Sequence, residues 1–307
     1  MFNFFHIIAA STNVATGVVP IENDFIPVVF ELSQSNGGQA EVNRLALTDQ
    51  ITAAGLTKLV YNATPIDCRM WKKASVDNID NGVMQDMSAG VNTTQYDASA
   101  NTFGAEIALS PLLKQHTANK VYYIKAMYGG SALRQSSAED WNAASVGDLL
   151  DNSLANFATP AIRQIIIDNP GKTIKVALLR HQGESDDTDL ERNAYYANSV
   201  AFLDKIRNYR IGGIKHFLNS PFLDTLLYYR PAETQEQLLN DLKIQFAAEQ
   251  PDCYTVDIRN QPRKIDLTAA QKGGFSPTLS DNEHSSYLSQ LQKGESAYDV
   301  LKNINWI

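Results

Sequence analysis

Four short stretches of this chain carry the residue types that acyl transfer needs. Gln34-Ser35-Asn36-Gly37-Gly38 places a hydroxyl beside a glycine pair, and Tyr128-Gly129-Gly130-Ser131 supplies a second glycine pair. Arg180-His181-Gln182-Gly183-Glu184-Ser185-Asp186 offers an amide, an imidazole and carboxylates, and Asp281-Asn282-Glu283-His284 ends in a second imidazole. A serine hydroxyl becomes a nucleophile when a neighbouring imidazole takes its proton. A carboxylate must then fix the imidazole's tautomer and stabilise the imidazolium. The oxygen that gains charge needs donors that do not titrate, such as backbone N–H groups or a side-chain amide. Ser35, ahead of a Gly-Gly turn, offers both a hydroxyl and an N–H. Gly129 or Gly130 can present an N–H with no side chain in the way, and Gln182 is a candidate amide donor.

Each stretch follows, or lies downstream of, an apolar run with strand character. The strand signals are Pro27–Ser33, Lys120–Met127, Thr173–Leu179 and Cys253–Ile258, each short and bounded by polar or Gly/Pro residues. Nearly continuous apolar runs suit strands covered on both faces, as in a parallel sheet. Helical patterns fall between them, over Gly104–His116, Val146–Asp168, Leu190–Tyr209 and Glu233–Glu249. The alternation predicts βαβ units in a layered α/β sandwich. In such a sheet, ligands sit outside the carboxyl ends of the strands, which is where the first three stretches fall. Ser75–Asn101, rich in Asp, Asn, Gly and Thr, reads as a long surface loop. No repeat or linker divides the chain, so the expectation is an extension over residues 1–24 and a single domain over 25–307.

Composition removes several function classes. The 307 residues carry 26 basic and 34 acidic side chains, a net charge of −8, which argues against a nucleic-acid surface. No apolar run approaches the ~20 residues of a membrane span. The first basic residue is Arg44, so the start of the chain lacks the charged segment that opens a secretory signal. Cys68 and Cys253 exclude a disulfide framework and leave one distant bridge open. Gly171-Lys172-Thr173 lacks the earlier glycine of a phosphate loop, since position 166 is Ile. The GxGxxG, HExxH and GxSxG patterns are absent.

Taken in order, the blocks resemble the SGNH hydrolase superfamily, within it the carbohydrate acetylesterase branch that includes sialate O-acetylesterases. That branch carries Gly-Gln-Ser-Asn-Met where this chain has Ser33-Gln34-Ser35-Asn36-Gly37, and Phe-Gly-Pro-Glu where it has Phe103-Gly104-Ala105-Glu106. Its Gly-Gly-Thr/Ser turn is matched by Gly129-Gly130-Ser131, its Trp-x-Gln-Gly-Glu-x-Asp block by residues 180–186, and its final Asp-x-x-His by Asp281 and His284. The resemblance implies a flavodoxin-like three-layer α/β/α sandwich with a parallel sheet of about five strands. It makes Ser35 the nucleophile, His284 the general base and Asp281 the residue that orients it. The oxyanion hole would be the N–H of Ser35, the N–H of Gly129 or Gly130, and the Gln182 amide. Gln34, Asn36 and Glu184 would support the site, Glu184 competing with Asp281 as the carboxylate partner. The expected substrate is an acylated carbohydrate, and no metal or organic cofactor is implied.

Departures from the branch leave alternatives open. Ser33, Gly37 and Ala105 replace a glycine, a methionine and a proline. Arg180 replaces the tryptophan, where it could contact an anionic substrate or pair with Asp186, while His181 could line the hole or make a structural hydrogen bond. Glu184, Asp186, Asp187 and Asp189 match no metal-binding spacing. Two further readings stand beside the esterase: a non-catalytic carbohydrate-binding or structural module, and a sugar O-acyltransferase.

Overall fold

The computed structural model describes residues 24–34, 40–41, 52, 55–72, 82–93, 102–136, 139–186, 188–227, 234–259 and 287–307. Its centre is a seven-stranded sheet. The strands are β1 (Phe25–Ser33), β3 (Cys68–Lys72), β4 (Val83–Asp86), β6 (Val121–Met127), β7 (Thr173–His181), β8 (Phe222–Thr225) and β9 (Cys253–Val256), in the order β4-β3-β6-β1-β7-β8-β9. All adjacent pairs are parallel except β3 and β4. The short strands β2 (Ala40–Glu41) and β5 (Thr102–Phe103) form a separate antiparallel pair. The sheet therefore has seven strands where about five were expected. The five strands β6-β1-β7-β8-β9 make the flavodoxin-like order, and β3 and β4 extend it beyond β6. Val83–Asp86 lies inside the stretch that reads as a surface loop. Four residues with no apolar alternation carry too little signal to separate an edge strand from a loop.

β1 is buried along all nine residues and contributes to both faces. Ile26, Val28, Phe30 and Leu32 point to one layer of helices, and Val29 to the other. The first layer comprises a helical run from Leu149 to Asp168, α4 (Asp189–Asn208) and α5 (Thr234–Glu249). That run consists of α2 (Leu149–Asn152), a π-helical stretch Ser153–Ala158, and α3 (Thr159–Asp168). The second layer is α1 (Glu106–Lys114) and α6 (Tyr287–Asn303). Together they form the three-layer α/β/α sandwich. α1 and α6 pack closely at Gly294, where a Cβ would lie 2.5 Å from the Ala105 carbonyl oxygen and 2.9 Å from the Leu109 nitrogen.

Cys68 and Cys253 are both free and buried. They begin β3 and β9, which lie on opposite sides of the central strands, so a bridge between them is excluded. Among the described residues no helix is long and apolar enough to cross a membrane. Residues 1–23, most of the expected extension, lie outside the described residues.

Candidate active site

Sheet register brings three of the four sequence blocks to one edge. Ser33, the last residue of β1, is level with Met127 at the end of β6 and with His181 at the end of β7. Two backbone bonds carry the alignment past the strands, Gln34 N to His181 O at 3.0 Å and Tyr128 N to Ser33 O at 2.9 Å. The chain after β1 passes through β2, β3, β4 and β5 before it reaches α1, while that after β7 enters α4 directly on the opposite face of the sheet. Loops that part in this way leave a crevice at the strand ends. Gln34, Gly129-Gly130 and Gln182–Glu184 therefore share that crevice.

The segment after β7 organises it. Glu184 accepts a hydrogen bond from the Gln34 amide on one carboxylate oxygen, and its other oxygen lies 2.7 Å from His181 Nε2. Ser185 Oγ donates to Gln34 Oε1 at 3.2 Å. Burial works against a charge on Glu184, but His181 and Lys243 outweigh it and bring the carboxyl down to about 2. Burial pushes His181 below its ordinary value in spite of Glu184. The surroundings thus favour the charge on Glu184 beside an imidazole whose charge burial disfavours.

The glycine turn after β6 is clasped from the same segment. Gln182 Nε2 donates to Ser131 O at 2.9 Å, and Trp141 Nε1 donates to Ser131 Oγ at 2.7 Å. The Asp186 carboxylate accepts from Leu133 N at 3.0 Å and Arg134 N at 3.1 Å. Burial raises the Asp186 carboxyl to about 6 even though these N–H groups favour its charge. Tyr195 OH donates to Gln182 O at 3.1 Å. The Gln182 amide thus holds the turn through its nitrogen, while its oxygen is buried with no hydrogen-bond partner among the described residues. Gly130 adopts φ +69° with open space where a Cβ would stand. Backbone conformation, rather than crowding, asks for glycine there.

One expectation for substrate contact is corrected. Arg180 meets neither Asp186 nor solvent. It is 1% exposed, and its Nε donates to Asp224 Oδ1 at 3.1 Å, its Nη2 to Asp224 Oδ2 at 2.5 Å and to Ser199 Oγ at 3.1 Å. Alternation along β7 sends it to the same face as Leu178, where its guanidinium sits within 5.0–5.7 Å of the Tyr195, Phe202, Phe222 and Phe246 rings. His181, on the opposite face, is 2% exposed, and its Nε2 lies 2.7 Å from Glu184, the hydrogen bond that is one of its two readings.

Ser35, Asn36, Asp281 and His284 lie outside the described residues. Ser35 directly follows Gln34, and α6 begins three residues after His284. Sequence reading missed Glu31, Tyr123 and Lys293, whose polar ends are buried beneath the crevice. One signal was available: Glu31 is the lone charge in the apolar run Val28-Val29-Phe30-Glu31-Leu32.

No family model matches the sequence, and no curated protein does. Solved structures do match. A protein from Arabidopsis thaliana superposes with a TM-score of 0.56 at 17% identity, over 90% of this chain and 98% of that one. NanS superposes with a TM-score of 0.55 at 13% identity, over 93% and 98%. A carbohydrate acetylesterase from Xanthomonas citri aligns with a TM-score of 0.45 at 19% identity, over 81% of this chain and 54% of that chain. The first two share this fold over nearly their whole length.

Proposed function

We propose that this chain is a serine esterase that removes short acyl groups, acetyl foremost, from carbohydrate hydroxyls. The observation that carries the reading is the levelled ends of β1, β6 and β7, which gather Gln34, the glycine turn and Gln182–Glu184 in one crevice. The ordered resemblance of the sequence blocks to carbohydrate acetylesterases supplies the residue roles.

Ser35 attacks the ester carbonyl as His284 takes its proton, with Asp281 holding the imidazole. The tetrahedral oxyanion is stabilised by the N–H of Ser35, the N–H of Gly129 or Gly130, and the second N–H of Gln182. The sugar alcohol departs with the proton from His284, leaving an acyl-Ser35. Water, deprotonated by the same imidazole, then releases the acid and restores the serine. Glu184 anchors the residue before the nucleophile, and Asp186 anchors the glycine turn.

The test is hydrolysis of p-nitrophenyl acetate and labelling by a fluorophosphonate. Ser35→Ala should lower turnover by ~10³-fold or more and abolish labelling. Full activity in that variant would reject the assignment, and a folded wild type that takes no label would favour a binding module. Gln182→Ala should cost on the order of 10²–10³ in kcat.

A further inference from the structure

Beneath the crevice, on the face shared with α1 and α6, the sheet buries two anions and two cations. Glu31, Glu106 and Lys125 are 0% exposed, and Lys293 is 1% exposed. Lys125 Nζ lies 3.1 Å from both Glu106 oxygens and donates to Thr93 O at 3.0 Å. Glu31 accepts from Ser33 Oγ at 2.8 Å and from Tyr123 OH at 2.7 Å, and Lys293 Nζ stands 3.8 Å from its Oε1. Glu31 lies on β1, whereas Lys293 lies on α6, the helix that follows Asp281 and His284.

α6 runs antiparallel to β1. At its far end Trp306 meets Phe25, the first residue of β1, with ring centroids 5.8 Å apart, and Lys175 Nζ donates to Trp306 O at 2.6 Å. The opposite end of α6 therefore faces the crevice. From Lys293 back to Tyr287 is six helical residues, ~9 Å at 1.5 Å each. From Glu31 on to Gln34 is three extended residues, ~10 Å at ~3.3 Å each. Two rigid arms of nearly equal length rise from one buried pair to the same edge. One ends beside Ser35 in the chain, the other just after His284. Gly294, next to Lys293, holds α6 against α1 at backbone contact, so the helix has little freedom to roll.

We infer that Glu31 and Lys293 are a positioning pair that sets the height of the α6 N-terminus against the carboxyl end of β1. This rests on the esterase reading for the roles of Ser35 and His284. A carboxylate is a costly occupant of a central strand. Ser33, which stands where the resembling branch has glycine, contributes its hydroxyl to that carboxylate, so this departure belongs to the same device. Burial also depresses the ammonium of Lys293, while Glu31 favours its charge.

The experiment compares Glu31→Gln, Lys293→Met and the double variant Glu31→Leu/Lys293→Met in the full chain. Three readouts are taken: thermal midpoint, kcat and KM on p-nitrophenyl acetate, and amide exchange over residues 287–293. The single variants should melt several degrees lower, because each removes one member of a buried, oppositely charged contact. The apolar double should melt above the Lys293→Met single variant yet below the wild type, since it removes the stranded buried carboxylate but leaves Ser33 Oγ and Tyr123 OH without their acceptor. It should nevertheless lose ~10-fold or more in kcat with KM within about twofold, since small misplacements of reacting groups are costly. Its 287–293 amides should exchange faster. A double variant with wild-type midpoint, kcat and exchange would overturn the inference. If the wild type neither hydrolyses ester nor takes label, the esterase reading fails by itself, and the exchange data still decide whether the pair fixes α6.

Discussion

The two faces of the sheet both bury charge below the crevice, yet they pair it differently. On the α4–α5 face, Arg180 grips Asp224 with two nitrogens, Lys243 Nζ lies 3.2 Å from the same carboxylate, and four aromatic rings enclose the guanidinium. Burial alone would push the Asp224 carboxyl up, but the two cations hold it below its ordinary value. On the α1–α6 face, Glu31 is held mainly by hydroxyls, and its cation stands 3.8 Å away. The first arrangement is a bidentate, charge-assisted lock that ties β7, β8 and α5 together. The second joins a strand to a helix through a longer contact. The α1–α6 face also holds a tight pair, Lys125 with Glu106 at 3.1 Å, so the contrast lies between the Asp224 lock and the Glu31–Lys293 contact.

That contrast can be broken in graded steps. Asp224→Ala should cost about 3–5 kcal/mol in denaturant unfolding, because it strands two buried cations; a loss below about 1 kcal/mol would remove the distinction between the lock and the contact. The clasp after β7 makes the next test, through pH. Asp186 has its carboxyl raised from 3.8 to about 6 by burial. The folded state therefore binds a proton more readily than the unfolded chain, and stability falls as pH rises through that window. Relative to Asp186→Asn, the wild type should lose about 2–3 kcal/mol between pH 4 and pH 6. Parallel stability curves for the two proteins would contradict this. Glu184 has the opposite sign. Held at about 2, it contributes stability above 4.5 that disappears as pH falls toward 2, and Glu184→Gln should remove that acid-side loss.

On the α6 face, Gly294→Ala should cost about 1–3 kcal/mol by overpacking against the Ala105 carbonyl. A thermal midpoint unchanged from wild type would show that α6 can shift freely. The smallest effect belongs to Gly130→Ala, about 1–2 kcal/mol of backbone strain at φ +69° with no clash. Calorimetry that ranked it above Gly294→Ala would mean that crowding, not conformation, governs the turn.

Much of this framework is legible from residue order. β1, β6, β7 and β9 announce themselves as apolar runs, and their ends differ from expectation by two residues or fewer. β7 runs on through Arg180 and His181, which sequence reading places in the loop, because burial of polar residues in pairs leaves no trace in an apolar pattern. β8, with the sequence Phe222-Leu223-Asp224-Thr225, is hidden for the same reason: its charge is matched by Arg180 and Lys243, 44 and 19 residues away. The amide and glycine candidates were readable since their chemistry is local. The partners of Glu31 were not, because a pairing 262 residues apart (293 − 31) is decided by folding.

The two strands beyond β6 bear on how the edge that gathers the candidate site ages and breathes. In a five-stranded version of this sheet, the strand leading to the glycine turn would be the outermost one, with half its backbone groups unpaired and prone to fraying. Here β3 zips along it from Cys68↔Val121 to Trp71↔Ile124, and antiparallel β4 takes over as the exposed rim. Local opening, proteolytic nicking and stray strand pairing are thereby diverted to a hairpin that carries none of the chemistry. The crevice keeps a backbone anchored on both sides.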